Sequence, residues 1–222
     1  LRDCFPAMTR AARPPLPRST YRHGDLRRTL LDAGIALARA GGPDAVVLRE
    51  ATRQAGVAPN AAYRHFASRQ DLLDAVRAAA VAAVARAMEQ EIAQLSAQLP
   101  AQCSAADRAR ATVRAVGAGY LRFAREETGL FRTAFGGAFR LGALSNPDDA
   151  EHNPFRHLST ALDQLVAAGA LPPARRPHAE FLAWSTVHGM ALLVIDGPLR
   201  DLPAPLLEPL GQRLLDMVER GL

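Results

Sequence analysis

The sequence predicts an all-α protein. Ala and Leu dominate while Val, Ile and aromatic residues are sparse, apolar positions recur at three and four, and no strand-like alternation lasts beyond four residues. With 222 residues, of which 49% are apolar, the chain can bury a real core without staples. Breaks at Gly41-Gly42, Gly56, Pro100, Gly136-Gly137, "SNPDDAEHNP", "LPPARRP" and "DGPLRDLPAP" divide it into about nine helices. No fixed-period repeat is present, which argues against a solenoid.

Residues 1–19, "LRDCFPAMTRAARPPLPRS", hold four prolines and four arginines without an apolar period and read as a flexible basic arm. Leu1 is not a methionine; Met8 is a candidate start, and residues 1–7 a candidate extension with no part in the fold. The first helix spans about Asp25 to Ala40, with Leu26, Leu30, Ala33 and Leu37 on one stripe and two glycines stopping it. "LREATRQA" forms a short second helix ending at a Gly56 turn, and a third runs from Pro59 to about Phe66. An isolated helix of two turns is unstable in water, so its neighbours must hold it. Ser68, with Asp71 three residues on, reads as a capping box opening a long helix to about Leu99. Later helices fall near 104–125, 127–135, 154–169, 177–196 and 204–220.

Charge is uneven along the chain. Residues 1–70 carry 12 Arg against 5 acidic residues, whereas residues 71–222 carry 15 against 17. A positive segment on a nearly neutral body favours a polyanion partner, with nucleic acid ahead of a membrane surface. All 27 basic residues are arginine, which alongside the abundant alanine fits GC-rich coding. Cys4 and Cys103 are too few and too distant for a disulfide framework or a metal cluster, and they suit a reducing, cytoplasmic setting. The apolar run around "MALLVI" is far short of the roughly 20 residues that span a bilayer, and no apolar signal core precedes it.

Two short helices joined by a glycine-containing turn describe a helix-turn-helix, whose second helix enters the DNA major groove. A helix from Pro59 places Ala62 and Phe66 on one face near Val57, and Asn60, Tyr63 and Arg64 on the other. Asn60 can pair with adenine, Arg64 with guanine or phosphate, and the Tyr63 hydroxyl with phosphate. Arg69 lies in the first turn of the next helix, where backbone amides also favour an anion. The plainer reading makes Tyr63, His65 and Phe66 the plug of a small three-helix core.

The stretches "TYRHGDLRRTLLDAG", "LREATRQAGVAPNAAYRHFASRQDLL" and "AWSTVHGMALL" resemble the tetracycline-repressor-type (TetR) transcriptional regulators, in particular the group with a C-terminal Trp/His-Gly signature. Gly56, Val57, Tyr63, His65, Phe66, Ser68 and Leu72 fall together at the family's spacing. The resemblance implies a homodimer that binds a palindromic operator, usually to repress, and releases it when a small molecule occupies the C-terminal domain. It divides the chain into the arm, a DNA-binding domain at 20–70 and a ligand-binding and dimerisation domain at 71–222. The candidate DNA contacts add Tyr21, Arg22, Arg49, Pro59, Ala61 and His65 to the four residues above. Val47 and Ala58 depart from the family's hydroxyl residues at two helix starts, each lost cap costing about 1 kcal/mol.

The C-terminal part holds no catalytic constellation, no metal-spaced His and carboxylate set, and no phosphate loop, so neither enzyme activity nor a cofactor is expected. His152 and His157 flank a loop and read as solvated. Trp184 and His188, four apart, share a helix face beside Gly189; they either pack or form a pocket wall with a polar anchor. Phe123, Phe131, Phe135 and Phe139 carry the same two readings, core first and ligand box second, with Arg132 and Arg140 flanking. An apolar or aromatic effector fits them. In "PLLEPLGQRLLDMVERGL", Leu207, Leu210, Leu214 and Met217 form an apolar stripe with Val218, and Gly211 permits a close crossing; the family resemblance makes this a dimer contact. The alternative function is a helical small-molecule-binding module or enzyme whose N-terminal hairpin is only structural.

Overall fold

The structure, a computed structural model, describes residues 23–137 and 152–221, which form nine α-helices and no strand. They are α1 (His23–Gly41), α2 (Leu48–Ala55), α3 (Pro59–Ala62), α4 (Arg69–Gln98), α5 (Ala105–Glu126), α6 (Thr128–Phe135), α7 (Pro154–Ala167), α8 (Ala179–Ile195) and α9 (Ala204–Gly221). The arm, Tyr21, Arg22, Phe139 and Arg140 lie outside the described residues.

Local chemistry accounts for the helix ends. Gly42, at φ 72°, takes the chain out of α1 and its amide donates to Ala38 O at 2.7 Å. Gly56, at φ 66°, ends α2 in the left-handed region, from which Val57 N reaches Thr52 O. The Ser68 hydroxyl accepts from Asp71 N at 3.1 Å, so the expected cap forms. Ser104 does the same for α5 through Asp107 N. The third helix is shorter than its pattern suggests. Its regular part stops at Ala62, where one carbonyl accepts from both His65 N and Phe66 N at 2.9 Å, and the chain then turns so that Phe66 enters the core.

The 30-residue α4 is the spine, about 45 Å long at 1.5 Å per residue. Its first turns complete a small core with α1, α2 and α3, and its remainder packs against α5, α6 and α7. Glycines let helices touch where any side chain would collide. A Cβ at Gly119 of α5 would stand 2.7 Å from Met88 Cα, and one at Gly34 of α1 would stand 2.8 Å from a Val76 methyl. At Gly129 of α6 it would run into Ala38 O and Arg39 O at the end of α1. Within the chain Gly189 and Gly211 meet no close neighbour: nothing lies within 4 Å of the first, and Leu121 Cδ1 is 3.9 Å from the second. The sequence pattern identifies a glycine in a helix but not the backbone opposite it.

Candidate DNA interface and effector cavity

The first three helices bury Leu30, Val46, Leu48, Ala51, Ala62 and Phe66, while the Arg27 guanidinium lies 5.2 Å above the Phe66 ring. Phe66 therefore belongs to the core, with Val57 packed against it. On the opposite side Pro59, Asn60 and Arg64 are exposed, and Tyr63 retains 58% of its surface. Tyr63 keeps right-handed helical torsions (φ −63°, ψ −17°), so the donor face continues past the formal end of α3. Ala61 and His65 are half-buried at its margins, and Arg49 is exposed on α2. Arg69 is engaged inside the domain. Its Nε donates to Val46 O and its Nη2 to Pro43 O, each at 2.8 Å, which ties α4 to the segment between α1 and α2. Val47 and Ala58 stand at extended N-cap torsions with no side-chain cap bond.

In the body, α5, α6, α7 and α8 gather an aromatic cluster. Phe131 and Phe135 meet at a tilt with 4.9 Å between centroids, His188 lies 5.7 and 5.4 Å from them, and Trp184 lies 5.6 Å from His188. Tyr120, absent from the sequence-predicted set, is its centre. It is 1% exposed, meets Phe131 edge-on at 5.3 Å, and links both signature residues. Trp184 Nε1 donates to Tyr120 Oη at 3.2 Å, and Tyr120 Oη in turn lies 2.7 Å from His188 Nδ1. Indole N–H can only donate, so Tyr120 Oη accepts from Trp184 and shares a second hydrogen bond with Nδ1, donating when the neutral imidazole carries its proton on Nε2 and accepting when it carries it on Nδ1. Burial pushes the Tyr120 phenol far above its ordinary range, against the smaller pull of the Trp184 donor. Burial also lowers the His188 pKa, which keeps the ring neutral.

A cavity of about 40 Å³ opens beside this chain of bonds, lined by Tyr120, Phe135, Phe155, Trp184, Val187 and further apolar side chains. It has room for only a few water molecules. Of the predicted ligand residues, Phe135 and Trp184 face it, whereas Phe131 and His188 stand behind them as support. Phe123 is buried in α5 away from the lining. His152 and His157 are not merely solvated: Nδ1 of the first and Nε2 of the second lie 3.1 and 2.9 Å from Glu89 Oε1. They clamp the start of α7 to α4 next to Met88, a cavity residue.

The expected dimer stripe divides. Leu207 is buried and Leu214 packs half-buried against the core, while Leu210 and Met217 face outward. A parallel row on α8, Leu182, Leu192 and Leu193, is also exposed, and Gly189 lies within the span it covers.

Residues 30–76 match the model for bacterial regulatory proteins of the tetR family, and residues 113–218 match that of the tetracycline-repressor-like C-terminal domain. The chain belongs to the TetR family of bacterial transcriptional regulators. It is 28% identical to a protein of unknown function from Rhodococcus sp. RHA1, with a TM-score of 0.72 over 92% of this chain and 99% of that one. FadR from Bacillus subtilis, solved in complex with stearoyl-CoA, is 14% identical, with a TM-score of 0.59 over 88% and 98% of the two chains. PfmR from Thermus thermophilus is 17% identical, with a TM-score of 0.56 over 88% and 95%. At these identities the two regulators share the fold. No curated protein matches the sequence.

Within this TetR-family fold, the N-terminal domain reads DNA and the C-terminal domain is helical. Tyr120 had a sequence signal that pattern reading passed over: it follows Gly117 and Gly119, which bring α5 against its neighbours and carry Tyr120 inward. Among the described residues no helix is long and apolar enough to cross a membrane.

Proposed function

We propose that the chain is a homodimeric repressor that binds a palindromic operator and releases it when a small apolar or aromatic molecule occupies the C-terminal domain. The observation that carries this reading is the two-sided recognition helix. Ala62 and Phe66 seal one face, while Asn60, Tyr63 and Arg64 leave the other free for base edges and phosphates. Residues 20–70 form the reading domain and 71–222 the regulatory domain, with Arg49, Pro59, Ala61 and His65 at the DNA margin. Arg69, exposed and tied to the segment after α1, is a further proposed contact, as are Tyr21 and Arg22, which lie outside the described residues. The exposed rows of α8 and α9, with Leu182 64% and Met217 61% exposed, supply an apolar surface for a second copy. Two-fold pairing then sets the recognition helices about 34–36 Å apart, one turn of DNA. Operator binding places the protein in the cytoplasm.

The stearoyl-CoA held by FadR supports an apolar effector for the C-terminal domain. The effector acts by preferring the DNA-incompetent spacing; moving the ratio from 1:99 to 99:1 needs about 5.5 kcal/mol of differential binding. Mobility-shift titration with DNA upstream of the protein's own operon tests the reading. A regulator binds one fragment in preference to random DNA with a steep salt dependence, and Tyr63→Ala and Arg64→Ala each weaken it. Equal affinity for random DNA at about 0.15 M salt refutes it.

A further inference from the structure

We propose that the cleft between α4, α5, α8 and α9 is a seat for the effector and takes an apolar body bearing a single cationic group. As a binding site the cleft stands on its own; as the effector seat it rests on the operator reading. Its volume of about 340 Å³ falls among the roughly 300–1,000 Å³ of small-molecule sites, which that of the aromatic cavity does not.

The cleft is a wedge, because α5 and α9 run antiparallel and part from one another along their length. At the closed end a Cβ on Gly117 would strike Leu215, Arg114 pairs with Asp216, and Arg110 lies 3.5 Å from Glu219. Further along, Gly211 leaves space, since a Cβ there would meet only Leu121 Cδ1 at 3.9 Å. The inner walls are hydrocarbon, from Leu121, Met190, Val194, Leu207 and Leu215. On α9 the lining residues Leu207, Gly211 and Leu215 recur every four positions on the side turned to α5. Leu210 and Met217 face outward instead, so two copies that pair through that outer row leave the wedge in place.

Charge at the open end selects the head group. Among the described residues the rim carries Glu91, Glu126 and Glu208 against Arg122 and Arg125, an excess of one negative charge. Arg122 Nε holds Glu91 firmly at 2.7 Å, but it reaches Glu126 only at 3.4 Å, and Arg125 reaches Glu208 only at 3.5 Å. Those two contacts exceed the usual 2.7–3.2 Å, so both carboxylates keep lone pairs for a further donor. An ammonium brings three such donors and balances the rim, whereas a carboxylate meets three of its own kind.

The full-length protein is titrated calorimetrically with octylammonium, 1-octanol and octanoate. Octylammonium binds once per chain and about tenfold or more tightly than octanoate, and added salt narrows the gap. Glu126→Gln combined with Glu208→Gln leaves one carboxylate beside two guanidiniums and reverses that order; both side chains are more than half exposed, so the fold is kept. Gly211→Leu fills the wedge and removes binding of all three; should it fail to fold, the reversal in the double variant decides. Octanoate binding as tightly as octylammonium, no saturable binding of octylammonium, or binding unchanged in both variants overturns the site. In the mobility shift, octylammonium releases operator from the wild type and not from Gly211→Leu. Calorimetric binding without release refutes the effector role and leaves the ligand site standing. A chain that prefers no DNA fragment refutes the operator reading, and calorimetry still decides the site.

Discussion

Replacing Gly119 with alanine tests the central seam of the molecule. The added Cβ would stand 2.7 Å from Met88 Cα, 2.8 Å from Ala87 O and 3.0 Å from Ala87 C. Carbon atoms rest about 3.5–4.0 Å apart, so the contact is short by about 1 Å. The atoms it strikes are α4 backbone inside a hydrogen-bonded helix and cannot rotate away, so α5 itself must withdraw. Overpacking of this kind costs about 1–3 kcal/mol. Gly→Ala inside a helix contributes about 0.4–1 kcal/mol in the other direction by restricting the unfolded chain. The net expectation is a loss of about 1–2 kcal/mol, or a fall in Tm of about 2–8 °C for a chain of this size. Thermal melts followed by circular dichroism at one fixed protein concentration provide the comparison, since self-association shifts apparent stability. A Gly119→Ala protein that melts with or above the wild type refutes the seam argument.

Three further outcomes are expected. Ala58→Ser restores a hydroxyl at an N-cap whose torsions already suit it (φ −67°, ψ 138°); it stabilises the protein by about 1 kcal/mol, read from denaturant midpoints. His188 has a folded pKa below its ordinary 6.5, so the unfolded chain binds the proton first. Its contribution is intact above about pH 6.5 and is lost as the solution is acidified below it; His188→Phe flattens the urea-midpoint profile between about pH 7 and 5. Leu182→Glu and Met217→Glu, each on an exposed side chain, convert the proposed dimer to a monomer in light scattering and leave helicity unchanged, whereas an unchanged mass rejects the α8–α9 interface.

Much of the fold was legible because its punctuation is local. Gly42 and Gly56 stop helices through torsions that glycine adopts without strain, and Ser68 starts α4 with a bond to a residue three positions on. Such signals span four or five residues, which is why the helices expected near 104–125, 127–135 and 204–220 lie within a residue or so of those observed. The donor face of Asn60, Tyr63 and Arg64 was equally readable, since a helix from Pro59 fixes their direction. Less readable was the tie that Arg69 makes within the domain, since its carbonyl partners, Val46 and Pro43, come from 23 and 26 residues away.

The sequence by itself determined the all-α class, the helix-turn-helix with its buried and exposed faces, and the Trp184–His188 pairing on one helix. Each follows from periodicity or from a cap, interactions whose partners are neighbours along the chain. Only the tertiary structure decided that Tyr120 joins those two side chains, that Leu207 and Leu214 turn inward while Leu210 and Met217 do not, and that Glu89 receives both His152 and His157. Those outcomes depend on which helices lie side by side. A heptad-like stripe records that a face is apolar, and the neighbour that covers it is chosen by packing across the whole core.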